Sequence, residues 1–153
     1  MKNKLLFLQT FLLLCGTIFA WINVTIDFAK FYDNEGTIFK ISNCVLPNPV
    51  TTACFWGAIA FFVSLNISFL IIRNKAELKL QNILFWLLLS GTIFAWANFG
   101  LTLFNYFSNI NKGPTRGCSG QLVTNPIATP CFTGAVLYLA AFLVALAIRK
   151  KLT

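Results

Sequence analysis

The sequence predicts an all-α integral membrane protein: a four-transmembrane-helix bundle made of two tandem parallel helical hairpins, each with an external disulfide. Three observations predict it, namely four long apolar segments, an internal repeat and two matching cysteine pairs. The chain is 58% apolar and 10% charged, whereas a soluble domain has about 25% charged residues. So few polar groups cannot cover a globule of 153 residues, and lipid is the remaining cover.

The four apolar segments are each long enough to cross a hydrocarbon core, which takes about 20 helical residues. They cover residues 5–28, 55–72, 80–106 and 127–148, and Asp27 is the single charged residue in them. Backbone polar groups in lipid must bond within their own segment, so each segment is expected to be an α-helix. The first and third are longer than the core requires and should tilt or project beyond it.

An internal repeat organises the chain. LLLCGTIFAWINV at 12–24 recurs as LLLSGTIFAWANF at 87–99, identical at ten of thirteen positions, and NPVTTACFWGA at 48–58 recurs as NPIATPCFTGA at 125–135. A duplicated two-helix unit predicts one membrane domain over 1–153, with repeat 1 at 1–76 and repeat 2 at 77–153. Since each unit has two spans, both units start in the same direction, which makes the repeats parallel.

The N-terminus also has features of a signal peptide, with two lysines before an apolar run. The same GTIFAW motif recurs inside the third segment, where cleavage is implausible. This recurrence favours a first helix that is retained.

The basic residues predict the orientation. Eight of the twelve Lys and Arg residues lie at the N-terminus, in the central loop at 73–79 and in the C-terminal tail. The positive-inside rule therefore predicts cytoplasmic termini and external cysteine loops. The composition, rich in Lys, Asn, Ile and Phe, is compatible with an AT-rich bacterial genome, so we expect a bacterial plasma membrane. Anionic headgroups beside these clusters account for the net charge of +8, and we expect no nucleic-acid partner.

Small residues and asparagines recur at helical spacing and predict the seams between helices, because small side chains let helices approach closely in lipid. The predicted seam residues are Gly16, Ala20, Asn23, Gly91, Ala95, Asn98, Gly57 and Gly134. Ser64 and Ser68 match Ala141 and Ala145 in the same pattern. An alternative is that Asn23 and Asn98 form a symmetric polar site for a ligand or an ion.

Two Asn-Pro pairs predict helix starts, with Asn48 and Asn125 as N-caps and the following proline at the first helical position.

Four cysteines fall in or next to the two external loops. Cys44 and Cys54 predict one disulfide and Cys118 and Cys131 the other, one per repeat, as structural bonds on the oxidising side of the membrane. Cys15 is expected to be a small packing residue in the first helix. The chain has no His and no CxxC motif, which argues against zinc.

The layout of four spans, cytoplasmic termini and a cysteine pair in each external loop resembles that of the DsbB-type quinone-linked disulfide oxidases. This resemblance implies thiol–disulfide exchange through the same four cysteines, with a quinone as cofactor. The first loop departs from that family, because its cysteines are spaced Cys-x9-Cys rather than CxxC and no Arg stands beside them to face a quinone.

Other catalytic sites find little support in the sequence. The four carboxylates, Asp27, Asp33, Glu35 and Glu77, are all expected at or beyond the membrane boundaries, so no buried ionisable group is predicted. We expect a non-enzymatic accessory, assembly or scaffold subunit without metal or cofactor. Its expected partners are membrane lipids and another membrane protein or a second copy. The DsbB-like oxidoreductase is the second hypothesis, and a small channel or lipid-binding protein is the third.

Overall fold

The computed structural model describes residues 2–39, 47–74, 77–109, 115–117 and 122–151. The predicted all-α class is confirmed, because four long helices make up most of the described chain. They are α1 (Lys2–Glu35), α2 (Ala53–Asn74), α3 (Glu77–Ser108) and α4 (Pro130–Lys150).

Short elements lie between the long helices. A 3₁₀ helix precedes α2 at Pro49–Thr51, and another precedes α4 at Pro126–Ala128. The two-residue strands β1 (Thr115–Arg116) and β2 (Leu122–Val123) pair antiparallel between α3 and α4.

All four helices are long and apolar enough to cross a membrane, over Lys4–Glu35, Ala53–Arg73, Leu78–Ser108 and Pro130–Lys150. Their outer faces carry large apolar side chains such as Phe7, Phe11, Phe104 and Phe107, each more than half exposed. Water would disfavour these faces and lipid chains would not. The four helices therefore fit an integral membrane protein.

The helices differ in length as the sequence predicts. α1 and α3 have 34 and 32 residues, and α2 and α4 have 22 and 21. At 1.5 Å per residue, the first pair is about 50 Å long and the second about 30 Å, which is the thickness of a hydrocarbon core. α1 ends at Glu35, and the next residue, Gly36, terminates it with a φ of +66°, which suits a residue without a side chain. The Gly36 N–H donates a hydrogen bond to the carbonyl of Tyr32 over 2.8 Å.

Each helix packs beside two others, so that α1 and α3 each contact both α2 and α4. We call the end where α1 begins and α4 ends the terminal end, and the opposite one, where α1 ends and α4 begins, the loop end. The core runs between the helices and includes Leu13, Phe61, Leu65, Leu84, Leu88, Tyr138, Ala141 and Ala145.

The two Asn-Pro pairs start 3₁₀ helices and not the long helices, which corrects the predicted helix starts. Asn48 accepts a hydrogen bond from the N–H of Val50, and Asn125 accepts one from the N–H of Ile127. The capping chemistry is as expected, but each 3₁₀ helix ends after three residues. The residue after each turn, Thr52 or Thr129, is extended, and the α-helix begins behind it.

Candidate functional site

In the loop-end half, α2 and α4 face each other across the centre of the four helices. The residues that meet are spaced i, i+3 and i+7, namely Cys54, Gly57 and Phe61 on α2 and Cys131, Gly134 and Tyr138 on α4. The sulfur atoms of Cys54 and Cys131 lie 3.4 Å apart. The rings of Phe61 and Tyr138 have centroids 3.9 Å apart, and the Tyr138 hydroxyl donates to the carbonyl of Gly57 over 3.2 Å.

A cavity of about 80 Å³ lies between the cysteine pair and this ring pair. Its described lining comes from all four helices and is almost wholly apolar. Most of the lining residues form pairs that occupy the same position in the two sequence repeats: Phe19 and Phe94, Ala20 and Ala95, Asn23 and Asn98, Cys54 and Cys131, Gly57 and Gly134, Ala58 and Ala135.

Two of the predicted seam glycines lie against the ring pair. A Cβ atom added to Gly16 would overlap the Phe61 ring, and one added to Gly91 would lie 2.6 Å from Cε1 of Tyr138. These rings can reach their positions only because the neighbouring helix has no side chain there. Gly57 and Gly134 differ, because an added Cβ would meet nothing within 4 Å in the described structure. They border the cavity, and a seam role for them stays a prediction.

Both asparagines line the cavity, and the hydrogen bonds that their side chains donate stay within their own helices. Asn23 Nδ2 donates to the carbonyl of Phe19, and Asn98 Nδ2 donates to that of Phe94, each over 2.8 Å within its own helix. Both side chains are partly accessible. Their role, in a seam or in a polar site, stays a prediction.

Of the predicted cysteine pairs, Cys44 and Cys118 lie outside the described residues, so neither intra-repeat disulfide is tested. The approach of Cys54 to Cys131 was not predicted. The sequence feature that could have predicted it is the internal repeat, in which Cys54 and Cys131 occupy the same position. Cys15 is a half-buried thiol on α1.

A buried polar layer, also not predicted, lies in the terminal-end half. Gln9 of α1 and Gln81 of α3 are at most 2% exposed, and Gln81 Nε2 donates to Gln9 Oε1 over 3.3 Å. The hydroxyls of Thr10 and Ser68 are 2.6 Å apart. Gln9 Nε2 and Gln81 Oε1 have no hydrogen-bond partner within the described part of the chain. Glutamines inside apolar segments were the signal for this layer.

Asp27 corrects the expectation that no ionisable group is buried. It lies within α1 and is 6% exposed, because α1 extends eight residues past it and its neighbours cover it. Asp33 is exposed and Glu35 is half-exposed. Among the described residues, no group of three His, Cys, Asp or Glu side chains could hold a metal ion.

The outer face of α2 carries a polar residue among aromatic ones. Phe62, Asn66 and Phe69 follow at i, i+4 and i+7, which places them on one face, and both rings are 51% exposed. Asn66 is exposed and donates to the carbonyl of Phe62 over 2.7 Å. We call these three residues the Asn66 face.

Comparisons with known protein families, with characterised proteins and with solved structures find no match to this chain.

Proposed function

We propose that this small integral membrane protein is non-enzymatic and acts as an accessory, assembly or scaffold subunit through helix contacts in the membrane. The Asn66 face is the observation that supports this function. Its partner would be another membrane protein or a second copy of the chain, in addition to the surrounding lipids.

An asparagine facing lipid cannot satisfy all its polar atoms there. Asn66 lies seven residues before Arg73, about 10 Å from that helix end, and so within the apolar part of α2. Within the described residues its side chain makes one hydrogen bond, donated to Phe62, so the side-chain carbonyl needs a donor from elsewhere. A neighbouring helix would provide that donor, and interhelical bonds of this kind hold helices together in membranes.

The second repeat provides a comparison for this face. Residue Leu143 of α4 occupies the position that Asn66 occupies in α2, and it is 53% exposed. A leucine side chain has no polar atoms and can face lipid without a hydrogen-bond partner. Leu143 is therefore the residue type expected at this position if lipid alone covers it. The difference points to a contact made by α2.

We also propose the finer architecture around this function. The two hairpins, 1–76 and 77–153, would be tandem parallel repeats in a bacterial plasma membrane, with cytoplasmic termini and with Cys44–Cys54 and Cys118–Cys131 as structural disulfides. The basic residues at the terminal end, Arg73, Arg149 and Lys150 among them, support this orientation. Labelling of a cysteine engineered at position 76 should require permeabilised membranes; labelling in intact cells would reverse the orientation.

The test of the proposed function is extraction of native membranes in mild detergent, followed by native electrophoresis and mass spectrometry. Wild-type protein should migrate in a complex with a stoichiometric partner or a second copy, and Asn66→Leu should dissociate it. Asn66→Gln, which keeps the amide, should retain part of the complex, and Leu143→Ala should retain all of it. A wild-type protein that migrates alone would remove the proposal.

A thiol–disulfide oxidoreductase with a quinone cofactor is the second candidate. The 3.4 Å separation between the Cys54 and Cys131 sulfurs favours it, because a relay needs its cysteines within reach of each other. For this role, Cys54→Ser should trap a mixed disulfide with a soluble thiol protein, and quinone depletion should leave one cysteine pair reduced. A scaffold protein would show no dependence of its cysteine pairs on quinone.

A further inference from the structure

We propose that Cys54 and Cys131 form a thiol–disulfide exchange site, in which a Cys54–Cys131 bond can link α2 to α4 at the loop end of the cavity. This inference rests on the intra-repeat disulfides proposed above and does not depend on the partner-binding role. It begins from geometry: the two sulfurs are 3.4 Å apart, and a disulfide needs about 2.05 Å. The sulfurs must therefore approach by about 1.4 Å to form the bond.

The surroundings hold the two cysteines in this relation. Each lies in the first turn of its helix, at the second residue of α2 or α4. The hydroxyl of Tyr138 donates to the carbonyl of Gly57, and the Phe61 and Tyr138 rings lie against each other with their planes tilted by 37°. These contacts tie the loop-end halves of α2 and α4 to each other just below the sulfurs, so the approach is a property of the packed helices.

The exchange needs no oxidant other than the proposed disulfides of the chain itself. In a chain that has the proposed Cys118–Cys131 bond, the Cys54 thiolate attacks the Cys131 sulfur. The Cys54–Cys131 bond forms, the Cys118–Cys131 bond breaks, and Cys118 leaves as a thiolate that takes a proton from water. The attacking Cys54 thiolate arises when an external dithiol reduces the proposed Cys44–Cys54 bond and is itself oxidised to a disulfide. The mirror-image step, with Cys131 attacking Cys54, is equally balanced.

A linked pair would change the site. Cys54 and Cys131 border the cavity at its loop end, and Gly57 and Gly134 follow one turn below. A covalent bond there would fix the spacing of α2 and α4 over the cavity, whereas intra-repeat bonds leave that spacing to packing alone. The state of the cysteines would then control how far the cavity can open.

The test uses the full chain in membranes. In the variant Cys15→Ser, Cys44→Ser, Cys118→Ser, the remaining thiols are Cys54 and Cys131. Oxidised glutathione should link them, with release of two molecules of glutathione, and mass spectrometry should detect the joined peptide. The control Cys15→Ser, Cys44→Ser, Cys131→Ser keeps Cys54 and Cys118. It should give at least about tenfold less linked product, because held proximity accelerates the second step.

A folded variant that stays unlinked at Cys54 and Cys131 would overturn the proposal. If the variant does not fold, the wild-type protein decides. Brief treatment with a limiting dithiol, acid quenching and peptide mapping should then reveal the Cys54–Cys131 peptide. Intra-repeat bonds or free thiols alone would overturn the exchange site. Neither outcome affects the complex that tests the Asn66 face.

Discussion

The two halves of the bundle differ in how closely the equivalent positions of the two sequence repeats resemble each other. In the loop-end half, the cavity is lined by residues that match between the repeats, such as Asn23 with Asn98 and Gly57 with Gly134. In the terminal-end half, several matching buried positions differ in chemistry. Gln9 is matched by Leu84, and Ser68 is matched by Ala145.

The terminal-end half is held by unlike contacts in the two hairpins. Between α1 and α2, the hydroxyls of Thr10 and Ser68 meet at 2.6 Å. Between α3 and α4, the Phe85 and Phe142 rings are 5.4 Å apart, and the Arg149 guanidinium lies 4.5 Å from the Phe85 ring centroid. Phe85 is the counterpart of Thr10, so a polar contact in one hairpin is an aromatic contact in the other.

This difference indicates where equivalence between the repeats is required. Helix packing alone is satisfied by either set of terminal-end contacts, so those positions were able to diverge. Six pairs of cavity-lining positions kept the same residue, cysteine and asparagine among them, which a purely apolar seam does not need. The matched cysteines and asparagines therefore direct attention to the loop-end half for the proposed exchange site, whereas the Asn66 face lies nearer the terminal end of α2.

The largest expected effect lies at the boundary between the halves. Gly16→Leu and Gly91→Leu would place a side chain inside the space of the Phe61 and Tyr138 rings. We expect each change to destabilise the protein by about 1–3 kcal/mol or more, since overpacking displaces both a ring and a helix. Thermal unfolding in mild detergent measures this effect. An unchanged midpoint in either variant would mean that the ring pair does not hold the halves together.

The second effect is in the polar layer. Gln9→Leu or Gln81→Leu would leave the other glutamine buried with less hydrogen bonding, at a cost of about 1–3 kcal/mol in a dry site and about 0.6 kcal/mol by the membrane average. The double change should cost less than the sum of the single ones, because no buried amide remains. A double-mutant cycle on unfolding free energies measures the coupling. Strictly additive costs would show that the two amides do not depend on each other.

The sequence predicted the helices well and the site only in part. Four spans, the long α1 and α3 and the cap role of Asn48 and Asn125 all follow from apolar runs and local chemistry, which act within a segment. The 3₁₀ helices were not foreseen, because Asn-Pro starts either kind of turn. Whether the turn continues as an α-helix depends on the residue that follows it, and here Thr52 and Thr129 are extended.

Contacts between distant segments were harder to predict. The Cys54–Cys131 approach, the Gln9–Gln81 bond and the burial of Asp27 depend on how helices rotate and how far they extend. Periodicity shows which residues share a face, but it does not show which faces meet across the centre. For Cys54 the sequence repeat could have supplied that information, because Cys131 occupies the same position in the second repeat. For Gln9 no such counterpart exists.

The smallest effect tests the cavity itself. Gly57→Ala and Gly134→Ala add a methyl group where nothing lies within 4 Å, so no neighbour must move. Alanine also favours a helix over glycine by about 1 kcal/mol in water, so we expect each variant to be unchanged or more stable by up to about 1 kcal/mol. The same substitution at Gly16 or Gly91 should be destabilising, because the ring is already there. Thermal midpoints of the four alanine variants, measured side by side, provide the test. A loss of stability at Gly57 and Gly134 as large as that at Gly16 would show that the space between α2 and α4 is closed in the membrane, and it would place the helix seam, and not a cavity, at the centre of the loop-end half.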